Sequence, residues 1–506
     1  MFVNFYKKYL KQFYFVRLLR LLAGKTVWTV RWKVVYPVKR AFANFFRKMS
    51  FFCFSWDGSY FLDNFVPERP RSALRNFSDF TSEKVAPVFD FFIVKLVKPL
   101  ARRTIPRHIR TKLLSFEFRK MFMLFGGSRE LALLAIRDAA AEKRIKPSAE
   151  LFSKEEVLTG APIVFPPSLG DEVGLVADSY IFPAITAVEI VNATVEGLSN
   201  FVETHEAVLH HDLYQLTYDY TSEELHGRFA IFPRRKIIRK FGKSEPGAVL
   251  EAAAVFTDAC SPNYAHWLTE VLPRIHVGAK SGMDESIPFI VDAGLHANIL
   301  FSARLLAGAH PLVELKRGES IQVKKLYVVG ATGYIPFDRR PAKEGVYSHG
   351  VFSPSALKSM RAELSALMGP ADGDYPRKIM LRRSSGARSM KNEEALALKL
   401  QELGFSSIYP EKLSFSQQYH LFSNAECVVG ATGAAMANLV FCQPACRLII
   451  CISSHKEHSF GYWRNMASAM GNNIRYVLGP VVGEKNQGVH ADFVVDVDDV
   501  VFAINY

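Results

Sequence analysis

Over residues 250–453, short runs of β-branched apolar residues alternate with stretches whose apolar positions recur every three or four residues. The first pattern predicts buried strands and the second predicts amphipathic helices. Strands are expected at 252–256, 287–291 and 326–329, with helices at 264–279 and 297–307 between them. A linking helix at 353–368 and a Gly/Pro/Asp-rich stretch at 369–376 follow, and the stretch reads as a hinge. The alternation then resumes. A strand at 378–381 leads to a helix with Asn392 as its cap, Glu393 and Glu394 in its first turn and Gly404 past its end. Strands at 406–409, 427–429 and 448–452, with a helix at 416–422, complete the block. Two β/α blocks joined by a hinge predict an α/β chain of two doubly wound, Rossmann-like lobes. A cleft between them is the natural ligand site.

Upstream the pattern changes. Residues 130–143 read as an amphipathic helix, and 161–238 read as mostly β. His210-His211-Asp212 lies in that β segment. Adjacent strand residues face opposite ways, so this trio argues only weakly for a metal. The chain therefore divides into 1–120, a basic aromatic region; 121–250, helical then β-rich; 251–368, a first lobe; and 369–506, a second lobe.

Three constellations carry candidate chemistry. Glu426–Asn438 reads as strand, glycine turn and helix start, with Gly430 and Gly433 in the turn. Such a turn presents free N–H groups to a phosphate, with Thr432 and Asn438 as added hydrogen-bonding groups. A strand-to-helix turn that needs glycine for geometry alone would look the same. In Asn263–Arg274, His266, Glu270 and Arg274 recur every four residues and share a helix face. A histidine beside a carboxylate can act as a general base, and Arg274 can hold an anion. A surface ladder of i,i+4 pairs, with Asn263 as an N-cap, would read identically. Arg382, Arg383 and Arg388 flank the end of a predicted strand, where arginines can clamp a diphosphate. Glu411 and Gln418 precede the glycine turn; a carboxylate at a strand end can take ribose hydroxyls and an amide can read a base. Neither a GxGxxG nor a GxxxxGK[ST] pattern is present.

Charge sharpens this picture. The formal net charge is +14, yet Met1–Ser50 alone holds 12 Lys/Arg and no Asp/Glu, which leaves +2 for the rest. A nucleic-acid footprint spread over the whole body is therefore excluded. The basic end is interleaved with Phe, Tyr, Trp and Leu, a composition suited to an anionic membrane surface. A basic helix packed on the body, or a disordered tail, is the competing reading. No run of about 18 apolar residues and no signal-peptide pattern occurs. The six cysteines form no CxxC and suggest a reduced intracellular chain. Asn76-Phe-Ser and Asn192-Ala-Thr fit a glycosylation sequon, which matters only for a secreted chain.

Over 250–452 these motifs resemble glycosyltransferase family 61. The likeness rests on Asn263-Tyr-Ala-His-Trp with Glu270, Pro273 and Arg274. It continues with Leu381-Arg-Arg through Asn392-Glu393, Leu413-Ser-Phe with Gln418, and Gly430–Asn438, in that order. The resemblance implies a GT-B fold and inverting transfer from a nucleotide sugar, a UDP-sugar foremost, without cofactor or essential metal. Bacterial members are often labelled capsular polysaccharide biosynthesis proteins. Many members carry His where this chain has Thr432, which can donate to a phosphate but cannot carry charge or act as a base. The expected enzyme grips the nucleotide sugar with Arg382, Arg383, Arg388, Glu411, Gln418, Gly430, Thr432, Gly433 and Asn438. It binds a glycan or lipid-linked acceptor near Asn263 and Arg274. His266, oriented by Glu270, removes the acceptor proton, and the basic end holds the enzyme at the inner membrane face. A catalytically degenerate scaffold of the same fold is the alternative.

Overall fold

The computed structural model describes residues 130–170, 177–225, 228–240, 245–339, 350–383, 388–455, 458, 460–482 and 491–506. All of them belong to one compact unit, Ala86–Tyr506. The expected membrane-associating region, 1–120, lies outside the described residues.

Two sheets organise these residues into a mixed α/β architecture. The larger sheet has a parallel half, in the order Glu319–Val329, Glu245–Val255, Phe289–Asp292 and Leu312–Leu315. Ile185–Glu196 joins it antiparallel and extends it into the upstream β segment. The second sheet is parallel throughout. Its order is Ser406–Ile408, Lys378–Leu381, Cys427–Ala431, Arg447–Ser453, Asn473–Gly479 and Ile163–Phe165. The last of these strands comes from the upstream β segment, some 300 residues before its neighbour in the sheet.

Alternation explains why the second sheet is covered on both faces. Ile379, Leu381, Val428, Leu448 and Ile450 enter one core, against Phe415, Phe422, Met466 and Met470. The residues between them, Met380, Val429, Ile449 and Cys451, enter another, against Leu396, Leu400, Val500 and Ile504. A strand buried on both faces has no polar positions to spare, hence its continuous apolar run.

Three local expectations are corrected. Residues 130–143 begin as a strand, Glu130–Ala135, and only Ile136–Ala141 is helical. Pairing on both edges, with Ala207–His210 and Ile237–Lys240, overrides the helix propensity of Leu and Ala. Asn392 does not cap its helix with its side chain; its amide instead bonds both backbone groups of Val495. Gly430 lies within a strand and is required by crowding, because a Cβ there would meet Leu381 Cβ and Met436 Cε at 2.9 Å.

Candidate active site

The site is built where the parallel strands of both sheets end. In the larger sheet the strand Glu245–Val255 runs out into Asp258 and then a helix, Tyr264–His266, which continues through a π turn at Trp267–Val271 into Leu272–Ala279. Asn263 starts this helix, its Oδ1 accepting from the Ala265 amide at 3.0 Å. Trp267 is fully buried and donates to Ser302 Oγ at 2.9 Å, which locks the rotation of the helix about its axis. That rotation turns Glu270 and Arg274 towards a small pocket open to solvent.

His266 Nδ1 and Glu270 Oε2 are 3.2 Å apart. Burial pushes the Glu270 carboxyl up, opposed by His266. Burial disfavours the His266 imidazolium, but Glu270, with Asp258 behind it, outweighs this and raises its pKa. Each partner therefore opposes the effect of burial on the other's charged form. Glu270 Oε1 is buried, and the Ile335 amide faces the carboxylate and favours its charged form. Arg274 is buried too; one guanidinium N–H donates to the Val255 carbonyl at 3.1 Å, while Nε has no partner. Its charge lies within electrostatic range of Asp258, Glu270 and Asp292.

Several pocket residues escaped the sequence reading. Asp258 accepts from the Cys260 amide at 2.8 Å and from Asn200 Nδ2 at 3.3 Å. Behind the pocket wall, fully buried Asp292 accepts from Ser261 Oγ and the Leu198 and Asp258 amides, and burial pushes it up to about 7. Both acids stand at or just past a strand's C-terminal end, the usual ligand edge of such sheets, which was the available signal. Glu223, bonded by Ser199 Oγ at 2.9 Å, gave none. His211 also lines the pocket, its ring 4.7 Å from that of Tyr334; burial lowers its pKa to about 3, so it is neutral. Gly333 approaches so closely that a Cβ would lie 2.4 Å from the Thr269 carbonyl oxygen.

In the second sheet the arginine segment and the glycine turn meet at one edge. Arg383 donates to the Thr432 carbonyl at 3.2 Å, and its guanidinium lies 3.2 Å from where a Gly433 Cβ would stand. Burial lowers the pKa of Arg388, and the nearby Arg383 charge lowers it further. Arg388 Nε is buried without a partner, and its backbone sits in the left-handed region at φ 56°. Glu411 lies within electrostatic range of Arg383. Ala434–Phe441 is a 3₁₀ helix whose first amides have no partner within it.

Other predicted residues face elsewhere. Arg382 is held by Glu393 at 3.0 Å and Glu394 at 2.6 Å, so it ties its strand to the following helix. The Thr432 amide pairs with the Cys451 carbonyl, and its Oγ accepts from Trp463 at 2.9 Å. Gln418 and Asn438 are buried in each other's company, Asn438 Nδ2 donating to Gln418 Oε1 at 2.9 Å. Asn438 Oδ1 accepts from the Tyr264 hydroxyl at 2.9 Å.

That last bond joins the two sheets' ligand edges. The helix Gly461–Met470 joins them again: Trp463 reaches Thr432, while Tyr462 lies within electrostatic range of Glu270. Asn438→Ala is expected to leave the Tyr264 hydroxyl and the Gln418 carbonyl oxygen without partners. It should cost about 1–3 kcal/mol in a denaturant melt. Among the described residues no group of three or more His, Cys, Asp or Glu is placed to hold a metal ion, and no helix is long and apolar enough to cross a membrane.

No curated protein matches the chain. The motif helix, the arginine segment and the glycine turn all fall within residues 264–449, and over those residues the chain matches the sequence model of the family Glycosyltransferase 61.

Proposed function

We propose that the protein is an inverting glycosyltransferase of GT-B type that moves a sugar from a nucleotide donor, a UDP-sugar foremost, to a glycan acceptor. The observation that carries this reading is Arg383 against the Thr432–Gly433 turn, with Arg388 within electrostatic range of Arg383. Two crowded, partly buried guanidinium groups repel, and a diphosphate between them would turn repulsion into charge-assisted hydrogen bonds. The amides that open the 3₁₀ helix add further donors. Neutralising the leaving diphosphate in this way is electrostatic work done without a metal. Arg382 serves as a positioning residue for the strand end. The His266–Glu270 pair, on the facing edge, is the base that takes the acceptor's proton.

The cluster of 12 Lys/Arg among aromatic residues in Met1–Ser50 supports a further reading, attachment to an anionic membrane where surface or capsular glycans grow on lipid carriers. Deleting Met1–Ser50 is expected to release the protein from vesicles containing anionic lipid. Co-pelleting equal to that of the full chain would remove this assignment.

The activity is tested by a melting screen against UDP-, GDP-, CMP- and dTDP-sugars, followed by a transfer assay with the stabilising donor. A rise in Tm with one nucleotide class, and release of that nucleotide in the presence of acceptor, is the expected result. No shift with any donor would sink the enzyme reading.

A further inference from the structure

Between residues 228 and 240 the chain carries six Lys/Arg and no Asp/Glu, in a body whose net charge beyond Ser50 is only +2. This stretch forms a hairpin at one end of the larger sheet: Phe229–Phe232, a 3₁₀ turn at Pro233–Arg235, and Ile237–Lys240. Strand alternation splits its two faces. Phe229, Ile231 and Ile238 turn inward and pack with Phe201, Tyr214 and Tyr334, which line the pocket. Phe232, Ile237 and Arg239 lie on the other face, with the Arg239 guanidinium 5.5 Å from the centre of the Phe232 ring.

The six cations fall into two groups. Three are held within the fold. Arg228 donates to the Gly197 and Leu198 carbonyls, Lys240 lies 3.2 Å from Glu196 and 3.1 Å from Glu203, and Arg239 is held by Glu130. The other three, Arg234, Arg235 and Lys236, stand side by side at the turn and are exposed. Arg235 touches Glu130 at 3.7 Å with its side chain still 45% exposed. Lys236 adopts the left-handed region at φ 51°, and its carbonyl accepts from the Leu133 amide at 2.8 Å. The turn is thus pinned to the neighbouring strand, and three adjacent cations are fixed at one tip. Cations within an edge strand commonly guard it against pairing with another chain. Here the outermost strand, Phe229–Phe232, carries no charge, and the cations lie past its end, so guarding does not account for them.

The place where the chain enters this sheet points to the partner. Glu130 is the first described residue, and it opens the strand Glu130–Ala135 that pairs with Ile237–Lys240. Its carboxylate is the one that Arg235 and Arg239 hold. The chain leading from the basic aromatic Met1–Ser50 therefore reaches the described body on the strand beside this tip. Anionic headgroups suit a compact cluster of Lys and Arg, and the half-buried apolar side chains of Phe232 and Ile237 beside it suit the headgroup boundary. Single-stranded nucleic acid would instead call for a groove of cations with stacking aromatics, which three cations on one tip do not form.

We infer that the Arg234–Lys236 tip docks the body on an anionic phospholipid surface, as a second contact beside Met1–Ser50. The inference rests on the membrane reading above and deepens it. Two contacts on one membrane reinforce each other, because the second forms at the high effective concentration set by the first. The hairpin's inner face packs against the pocket residues Tyr214 and Tyr334, so docking keeps that wall of the pocket near the bilayer, where a substrate carried on a lipid arrives.

The test is co-pelleting of the full chain with vesicles of equal parts phosphatidylcholine and phosphatidylserine, against vesicles of phosphatidylcholine alone. The triple variant Arg234→Gln, Arg235→Gln and Lys236→Asn removes the charges. Asn tolerates the left-handed backbone that Lys236 adopts, and Glu130 keeps Arg239. Affinity for the phosphatidylserine vesicles should fall by about tenfold or more, with Tm unchanged. Arg234→Lys with Arg235→Lys keeps the charge and should bind as the parent does. The Met1–Ser50 deletion, run beside these variants, separates the two contacts. A deletion that pellets fully while the triple variant does not would overturn the Met1–Ser50 assignment and leave that of the tip intact. A triple variant that pellets as the parent does, a loss equal on both kinds of vesicle, or a loss accompanied by a fall in Tm would overturn the inference. So would a tip that binds single-stranded RNA in a chain that binds no vesicle.

Discussion

His266→Ala is expected to lower sugar transfer by about 10²–10⁴-fold at neutral pH, the range typical of a lost acid–base function. The physical reason lies in the coupling of the two side chains. Glu270 is buried, and burial favours its protonated form. The imidazole 3.2 Å from Oε2 offsets this by offering a cation or a hydrogen bond to the carboxylate. Without it the balance moves towards the protonated carboxyl, which cannot accept a proton from the acceptor. Donor affinity should hardly change, because the arginines proposed to hold the nucleotide stand on the other sheet. The check is steady-state kinetics alongside a UDP binding isotherm. A variant with parental kcat would remove the pair from the mechanism.

The second large effect is expected from Arg383→Ala combined with Arg388→Ala. A hydrogen bond to a charged group contributes about 1.5–3 kcal/mol. Losing one from each arginine should weaken UDP binding by about 10²-fold or more. The protein should remain folded, since both side chains are only partly buried at the sheet's edge: Arg383 bonds the Thr432 carbonyl there, and Arg388 Nε is unpaired. Relief of the repulsion between them should even favour the unliganded state slightly. Arg382→Ala belongs to a different class. It breaks the ties to Glu393 and Glu394, so its effect should be seen first in Tm. Calorimetry on the double variant, with Arg382→Ala as the comparison, distinguishes gripping the ligand from holding the scaffold.

How much of this was legible in the sequence depended on the kind of contact. The second sheet was readable because parallel strands buried on both faces must be apolar throughout, and Lys378–Leu381 matches its expected bounds. The motif helix was readable too, although the π turn at Trp267–Val271 left no trace in the pattern. What failed was anything decided at a distance. Leu131, Leu133 and Leu134 favour helix locally, yet two flanking strands claim them. Ile163–Phe165 gave no hint that it would edge a sheet whose other strands begin at Lys378. The arginine clamp was read with Arg382 included, but the side chain that turns towards Gly433 is Arg383. Composition cannot tell adjacent arginines apart; the direction each leaves the strand end does. Gln418 and Asn438 read as ligand contacts from their place beside the turn. They are instead satisfied by each other and by Tyr264, a partner 174 residues away from Asn438. The pocket at the larger sheet's edge was the least visible of all. Asn200, Glu223, Asp258 and Tyr334 come from four separate stretches, and no single one carries a motif.

The most direct test of the account compares UDP, UMP and uridine as ligands of the full-length protein by calorimetry. If two guanidinium groups and the opening amides of Ala434–Phe441 hold a diphosphate, UDP should bind at least about tenfold tighter than UMP, and uridine weakly or not at all. Equal affinities for all three would mean that the phosphates make no contact with these groups, and would contradict the assignment of this edge as the donor site.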